Sequence, residues 1–276
     1  MTLTAKPQTL ILRTAGTNCD AETAYAFELA GATPQSVHVN QLLREPGLLD
    51  SFQILAVPGG FSHGDDIAAG RILANQIAHH LGSALREFVD AGRPVIGICN
   101  GFQVLVKTNL LPGEVGGRTG QTCTLAHNDC GRFTDRWIRL VARPGKCIWT
   151  KDLTPNLIEL PVAHGEGKFV PGGESVRQAL CANGQVALVY AKSDGSAAGG
   201  VFPDNPSGSM DDIAGVCDPT GVVFGLMPHP ERYTDPTQHP AWTHQRQAGK
   251  LPAEGFGLQV FRNAVRHVSE AIGAGV

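Results

Sequence analysis

The sequence predicts an α/β fold, with a central, mainly parallel sheet, helices on both faces and an antiparallel extension. Three observations carry the prediction. From Thr9 to Thr108, short apolar runs alternate with stretches of helical periodicity, the order of strands joined by crossover helices. The apolar runs are almost continuous, as strands covered on both faces require. From about Gly120 the helical stretches thin out and strand-like runs follow one another directly.

Thr9–Thr14, TLILRT, reads as the first strand. In the following GTNCDAETAYAFELAGA, Asn18 or Asp20 can cap a helix, and Ala24, Phe27, Leu29 and Ala30 form its apolar face up to Gly31. SVHV is a second strand, and FQILAVPGG a third, closing on Pro58-Gly59-Gly60. One long helix is expected over about Arg71–Ala91, stopped by Gly92. RPVIGIC is the next strand, and helical NGFQVLVKT follows at once. Beyond Gly120, QTCTLAHND, DRWIRLV, NLIELPVAH, QVALVYA and GVVFGLM read as strands. VFPDNPSGSMDDIAG reads as a turn-rich loop and GFGLQVFRNAVRHVSEAI as a closing amphipathic helix. No linker, repeat or low-complexity run divides the chain. A single domain over residues 1–276 is expected, with a core at about 9–235 and a C-terminal loop and helix over 236–276.

Composition narrows the function classes. The chain is 42% hydrophobic and 17% charged, with a net charge of -3, which offers no basic excess for nucleic acid or an anionic membrane. The N-terminus lacks a signal-peptide pattern and no apolar run spans a bilayer, so a cytoplasmic location is expected. Seven cysteines, scattered and odd in number, argue against a disulfide framework; most are expected to be reduced and structural.

Cys99 stands apart. Gly97-Ile98-Cys99-Asn100-Gly101 lies between a strand and a helix, in the Gly-x-nucleophile-x-Gly setting of a nucleophile elbow. Such a turn lifts the thiol above the carboxyl end of the sheet, where the helix N-terminus favours a thiolate. The Asn100 N–H then points toward an oxyanion. A core cysteine at a strand end fits the same five residues. For a base, His229 in FGLMPHPER follows an apolar strand between two prolines, with Glu231 two residues on, on the same side of an extended chain and able to orient the ring. His-Pro pairs also occur in plain loops, and His239-Pro240 reads as one. Pro58-Gly59-Gly60 can present bare N–H groups to an oxyanion or form an ordinary turn, and Asp65 and Asp66 can favour the start of the next helix. Cys123, His127 and Cys130 depart from zinc-site spacings and lack a fourth ligand. HGEGKFV lacks the spacing of a phosphate loop.

Three pieces in order, Pro58-Gly59-Gly60, the Cys99 elbow and His229-Pro230-Glu231, resemble the class I glutamine amidotransferases. The match narrows with GTNCDAETAYAFELAGA, PGGFSHGDDIAAGRILANQI, GICNGFQVL, CGRFTDRW, PVAHGEGKF, NPSGS followed by IAGVCD, and MPHPER. From about Leu10 to His267 the chain is similar to the glutaminase subunits of phosphoribosylformylglycinamidine synthases. Phe102 stands where most class I members carry histidine, as it does in that branch.

The resemblance implies a flavodoxin-like fold and a Cys99-His229-Glu231 triad that hydrolyses glutamine. It implies oxyanion donors near Gly60 and Asn100, and offers Gly59, Phe61, Gln103, His164 and Glu166 as substrate contacts. The PVAHGEGKF and CGRFTDRW segments can line the glutamine pocket, face the partner, or form a plain Gly-rich loop with solvated polar residues. It further implies no cofactor or metal in this subunit, with ATP, Mg and formylglycinamide ribonucleotide on a large synthetase partner that receives the ammonia, sometimes with a small accessory subunit. Two features depart from the pattern. His63 stands at a place often held by tyrosine, and TDPTQHPAWTHQRQAGKLPAEGFG resembles the tail of fused forms with altered sequence. Rival readings are a cysteine hydrolase of another γ-glutamyl or peptide substrate, and a non-catalytic subunit on the same fold. Retention of Cys99, His229 and Glu231 together argues against the second.

Overall fold

In the computed structural model, which describes residues 6–118, 120–153 and 157–274, nine strands form one sheet. The expectations for residues 1–5 and for Asn156, the first residue of the NLIELPVAH run, lie outside the described residues. In chain order the elements begin with β1 (Gln8–Arg13), α1 (Asp20–Leu29), β2 (Thr33–His38), α2 (Val39–Arg44), β3 (Ile54–Val57), α3 (Arg71–His80), α4 (Gly82–Asp90), β4 (Val95–Ile98) and α5 (Asn100–Lys107). There follow β5 (Cys123–Ala126), β6 (Thr134–Ala142), β7 (Leu157–His164), β8 (Lys168–Pro171), α6 (Glu174–Ala182), β9 (Val186–Ala191), β10 (Ile213–Cys217), β11 (Val223–Leu226), α7 (Trp242–Gln247) and α8 (Gly257–Ala274).

The sheet runs β2-β1-β3-β4-β11-β10-β9-β6-β7. Pairs from β2 to β11 are parallel and those from β11 to β7 antiparallel, so the expected extension continues the same sheet. Every residue of β3, β4 and β11 is buried, which accounts for their unbroken apolar character. β7, at the sheet edge, instead alternates half-buried and buried residues. β5 and β8 pair apart from the main sheet as a two-stranded ribbon. The helices pack in pairs: Phe27 of α1 meets Phe261 of α8 edge-to-face at 4.9 Å, and α3 lies against α5. Among the described residues no helix is long and apolar enough to cross a membrane.

Several expectations need correction. The helix over Arg71–Ala91 is two helices. Leu81, with φ -121° and ψ 0°, interrupts it just before Gly82, while buried Leu73, Ile77, Leu81, Leu85 and Phe88 keep an apolar spacing that runs across the break. Neither Asn18 nor Asp20 caps α1. Cys19 holds the N-cap position without a side-chain cap, and Asp20 pairs with Arg13 at 2.6 Å. The turn-rich loop ends sooner than expected, because β10 begins at Ile213; its register with β9 shifts at Gly215, which blurs any alternation. α2, α6, α7 and β8 stand where no element was expected. His239 is not in a plain loop. Its ring is buried against Trp137 and Tyr233, and its Nε2 lies 3.1 Å from Glu159 Oε2.

The parallel half creates the site. Val57 pairs with Gly97 and Ile98 with Leu226, so the carboxyl ends of β3, β4 and β11 reach one edge together. The chain segments that leave this edge carry Gly59 and Gly60, Cys99, and His229.

Candidate active site

Cys99 sits at φ 51° and ψ -105°, a conformation costly for a residue with a Cβ, between the last residue of β4 and the first of α5. Its N–H still bonds Leu226 O at 2.8 Å, so the sheet ladder holds the turn from one side. The flanking glycines hold it from the other. A Cβ on Gly97 would meet the Gly101 carbonyl at 2.6 Å, and one on Gly101 would collide with the Val57 carbonyl. The elbow is thus a steric requirement of the β3–β4–α5 junction.

This sets a test. Alanine at 101 gains about 1 kcal/mol of helix propensity, whereas forcing a methyl into packed backbone costs about 1–3 kcal/mol or more. Gly101→Ala is expected to lower the melting midpoint by several degrees, measured by thermal denaturation. An unchanged midpoint would mean that the junction has slack.

His229 begins a 3-10 turn over Pro230–Arg232 rather than lying in extended chain. The turn still brings Glu231 back, and Nδ1 lies 2.6 Å from Glu231 Oε1 with both side chains buried. Nε2 is buried without a hydrogen-bond partner. Burial alone would push the imidazole down, but the Glu231 carboxylate and the Cys99 sulfur outweigh it and hold the ring well above the ordinary histidine value. Gly59 measures how close the parts are: a Cβ there would lie 2.9 Å from His229 Cε1 and 3.5 Å from Cys99 Cβ. The Cys99 thiol donates to Ala163 O at 3.6 Å. Catalytic contacts commonly tighten only when substrate binds.

The Gly60 and Asn100 N–H groups make no hydrogen bond among the described residues. The Asn100 side chain ties the elbow to the loop after β3. Its Oδ1 accepts the Ser62 N–H at 3.1 Å, and its Nδ2 donates to Asp65 Oδ1 at 2.8 Å and to Gln103 Oε1 at 2.9 Å. Asp65 also accepts the Gly70 N–H at the start of α3, while burial raises its carboxyl above the ordinary range.

A cavity of about 280 Å³ opens over Cys99, lined also by Gly60, Phe61, Gln103, His164 and Glu166. Half-exposed Phe61 faces Phe133 across 6.3 Å at its rim. Gln103 bridges inward, its Nε2 donating to Glu166 O at 2.7 Å, so its amide is already engaged within the chain. His164 closes the wall at the end of β7. Its Nδ1 lies 3.1 Å from Asn128 Oδ1, which also accepts the Gly167 N–H. That carbonyl oxygen can only accept, so His164 carries its proton on Nδ1 and leaves Nε2 as a buried acceptor without a partner. Burial, with the nearby His229 charge, pushes the ring down to about 3, so it is neutral at physiological pH. Sequence reasoning missed Asn128, whose role depends on two loops meeting.

Sequence reasoning also missed Cys19. This fully buried thiol lies 4.0 Å from His229 Nδ1 and 3.1 Å from Arg232 Nη2. Cys19, His229 and Glu231 have the donor types of a metal site. They do not fit one. Nδ1 is already bonded to Glu231, and the Arg232 guanidinium stands where a cation would be repelled. Cys123, His127 and Cys130 are not drawn together: Cys123 is buried in β5, its thiol raised to about 11 by burial, while the His127 side chain is 85% exposed.

Taken together, a thiol on a strained strand–helix turn and a buried imidazole–carboxylate pair form an arrangement with the parts that cysteine-dependent acyl transfer uses. A family model for a CobB/CobQ-like glutamine amidotransferase domain matches residues 6–268. Phosphoribosylformylglycinamidine synthase subunit PurQ from Dehalococcoides mccartyi is 47% identical over 263 residues, covering 95% of this chain and 98% of that protein. The subunit of the same name from Methanococcus maripaludis strain S2 is 37% identical over 272 residues, covering 96% and 98%. The solved structure of PurLQS from Thermotoga maritima superposes with a TM-score of 0.69 at 28% identity, over 95% of this chain and 99% of that one. The chain belongs to the glutamine amidotransferases and, within them, to the PurQ subunits of phosphoribosylformylglycinamidine synthase.

Proposed function

We propose that the chain releases ammonia from glutamine for phosphoribosylformylglycinamidine synthase in purine biosynthesis, with Cys99 as nucleophile, His229 as acid and base, and Glu231 as its partner. The observation that carries this reading is the 2.6 Å His229–Glu231 pair beside the elbow thiol at the end of the parallel sheet.

The Cys99 thiolate attacks the side-chain amide carbon of glutamine. The Gly60 and Asn100 N–H groups stabilise the resulting oxyanion. The His229 imidazolium gives a proton to the departing nitrogen, and ammonia leaves a glutamyl thioester on Cys99. Water then loses a proton to His229 and attacks the thioester, releasing glutamate and restoring the thiol. Glu231 stabilises the imidazolium between the two proton transfers. Phe61, Gln103, His164 and Glu166 border the cavity in which the amino-acid end of glutamine would lie, with Gly59 beneath His229.

The partner is a synthetase that binds ATP, Mg and formylglycinamide ribonucleotide, with a small accessory subunit where the assembly uses one. No cofactor is assigned to this chain, and the complex is assigned to the cytoplasm. The PurQ relatives are named as subunits of a synthase, which supports a partner in this position.

The test is selective modification. Brief alkylation near neutral pH, followed by peptide mapping, is expected to label Cys99 far ahead of the six other cysteines, with glutamine protecting it. First labelling at Cys19 or Cys217, or no protection by glutamine at saturating concentration, would count against the reading.

A further inference from the structure

An imidazole that must exchange protons through one nitrogen works best when its other edge is fixed. His229 Nδ1 is fixed to Glu231, and Nε2 is the edge left for the thiol. Cys19 is the further group against Nδ1, at 4.0 Å. It is fully buried and anchored on every side. Its N–H donates to Gly59 O at 3.2 Å, and its carbonyl accepts from Thr23 Oγ1 at 2.6 Å. Its S–H donates to Asn18 Oδ1 at 3.2 Å, and its sulfur accepts Arg232 Nη2–H at 3.1 Å.

The chemistry of that sulfur suits its place. Its one proton is committed to Asn18, so it has none to offer Nδ1. It is a weak acceptor, so it competes poorly with the Glu231 carboxylate. It is fully buried beside the buried His229–Glu231 hydrogen bond. A hydroxyl there would be smaller and a stronger donor and acceptor, able to bond the carboxylate or the ring. Arg232 supplies the anchor from the turn that carries Glu231, and Glu22 of α1 lies 3.8 Å from its guanidinium. The titratable groups facing the ring are Glu231 and Cys19 on one side, with Cys99 and His164 toward the cavity; Arg232 meets Cys19 from behind, and Glu22 lies beyond it.

We propose that Cys19, anchored by Asn18 and Arg232, is a positioning residue that holds the His229 imidazole with Nδ1 on Glu231 and Nε2 toward Cys99. This rests on the reading of Cys99 and His229 as the glutamine-hydrolysing pair. Cys19 touches neither substrate nor the reacting atoms and acts through His229.

The experiment compares wild type, Cys19→Ala, Cys19→Ser and Arg232→Lys, each as full chain with its synthetase. It records kcat and KM for glutamine, the pH profile of Cys99 alkylation without glutamine, and the melting midpoint. The three variants are expected to lose kcat by on the order of tenfold to a hundredfold, with KM within about twofold of wild type. Their pH profiles of Cys99 alkylation are expected to differ from wild type, because a wandering imidazole no longer faces the thiol in one fixed orientation. Arg232→Lys changes a partly exposed side chain and keeps its charge, so it decides the matter if the two Cys19 variants do not fold. Unchanged kcat and alkylation profile in a folded variant would overturn the proposal. So would a loss of kcat with an unmoved alkylation profile, which marks a merely structural thiol. A wild type that does not hydrolyse glutamine would overturn the functional reading instead, while the alkylation profiles would still decide the role of Cys19.

Discussion

His229→Ala is expected to lower glutamine hydrolysis by roughly four to six orders of magnitude, as removal of a base from a triad that acts as a unit does. The reason lies in the proton inventory. Without the imidazole, the carboxylate-paired group beside Cys99 that would take the thiol proton and return it to the departing nitrogen is gone; His164, held neutral, has no carboxylate partner to replace it. Glu231→Gln should fall between this variant and wild type. The imidazole remains, but the carboxylate that holds the ring well above its ordinary value is gone. His164→Ala should cost least, about tenfold, because its ring is neutral and borders the cavity rather than exchanging protons. Glutamate release is the measurement, with circular dichroism as a check on folding. A ranking in which His164 is essential and His229 dispensable would overturn the triad.

The second large effect separates the two halves of the proposed reaction. Cys99→Ser keeps the size and shape of the elbow but replaces a sulfur nucleophile with a far less acidic hydroxyl. The mutant complex is expected to lose essentially all glutamine-dependent formation of formylglycinamidine ribonucleotide while it still assembles with its synthetase. High ammonium, which carries some neutral ammonia, is expected to restore product. The comparison is product formation from glutamine and from ammonium, by mutant and wild-type complexes. If an intact Cys99→Ser complex also failed with ammonium, Cys99 would have a role beyond ammonia release.

How legible all this was in the sequence varied with the range of the cause. The Cys99 elbow was legible because its cause is local: two glycines within five residues, each facing backbone at less than 3 Å from a would-be Cβ. The His229–Glu231 contact was anticipated from an extended i, i+2 relation, but a 3-10 turn after Pro230 makes it. β3, β4 and β11 were legible because burial on both faces leaves no room for polar residues, whereas β2 at the sheet edge is mostly exposed and polar. β10 was hidden because the turn residues before it and the register shift at Gly215 break the alternation. α6 carried a usable signal in buried Val176 and Leu180 behind first-turn Glu174, obscured by the surrounding strands. Cys19 and Asn128 carried none. Cys19 matters because the loop after β1 meets a turn over two hundred residues later, and Asn128 because its loop meets the end of β7.

The collision of any side chain at Gly101 with the Val57 carbonyl, and at Gly97 with the Gly101 carbonyl, also bears on how such a chain can drift through inheritance. A clash with a neighbouring side chain can be relieved by a second mutation that trims the neighbour. A clash with a main-chain carbonyl has no such suppressor, because every amino acid carries the same backbone. A side chain at 97 or 101 therefore cannot be accommodated by trimming one neighbour alone; the backbone of the junction itself would have to move. The apolar positions of β3, β4 and β11 face side chains and can exchange volume with one another over many generations. The heritable information that shapes the Cys99 turn is thus weighted toward glycine codons that face main chain, while apolar positions that face side chains leave more room for exchange.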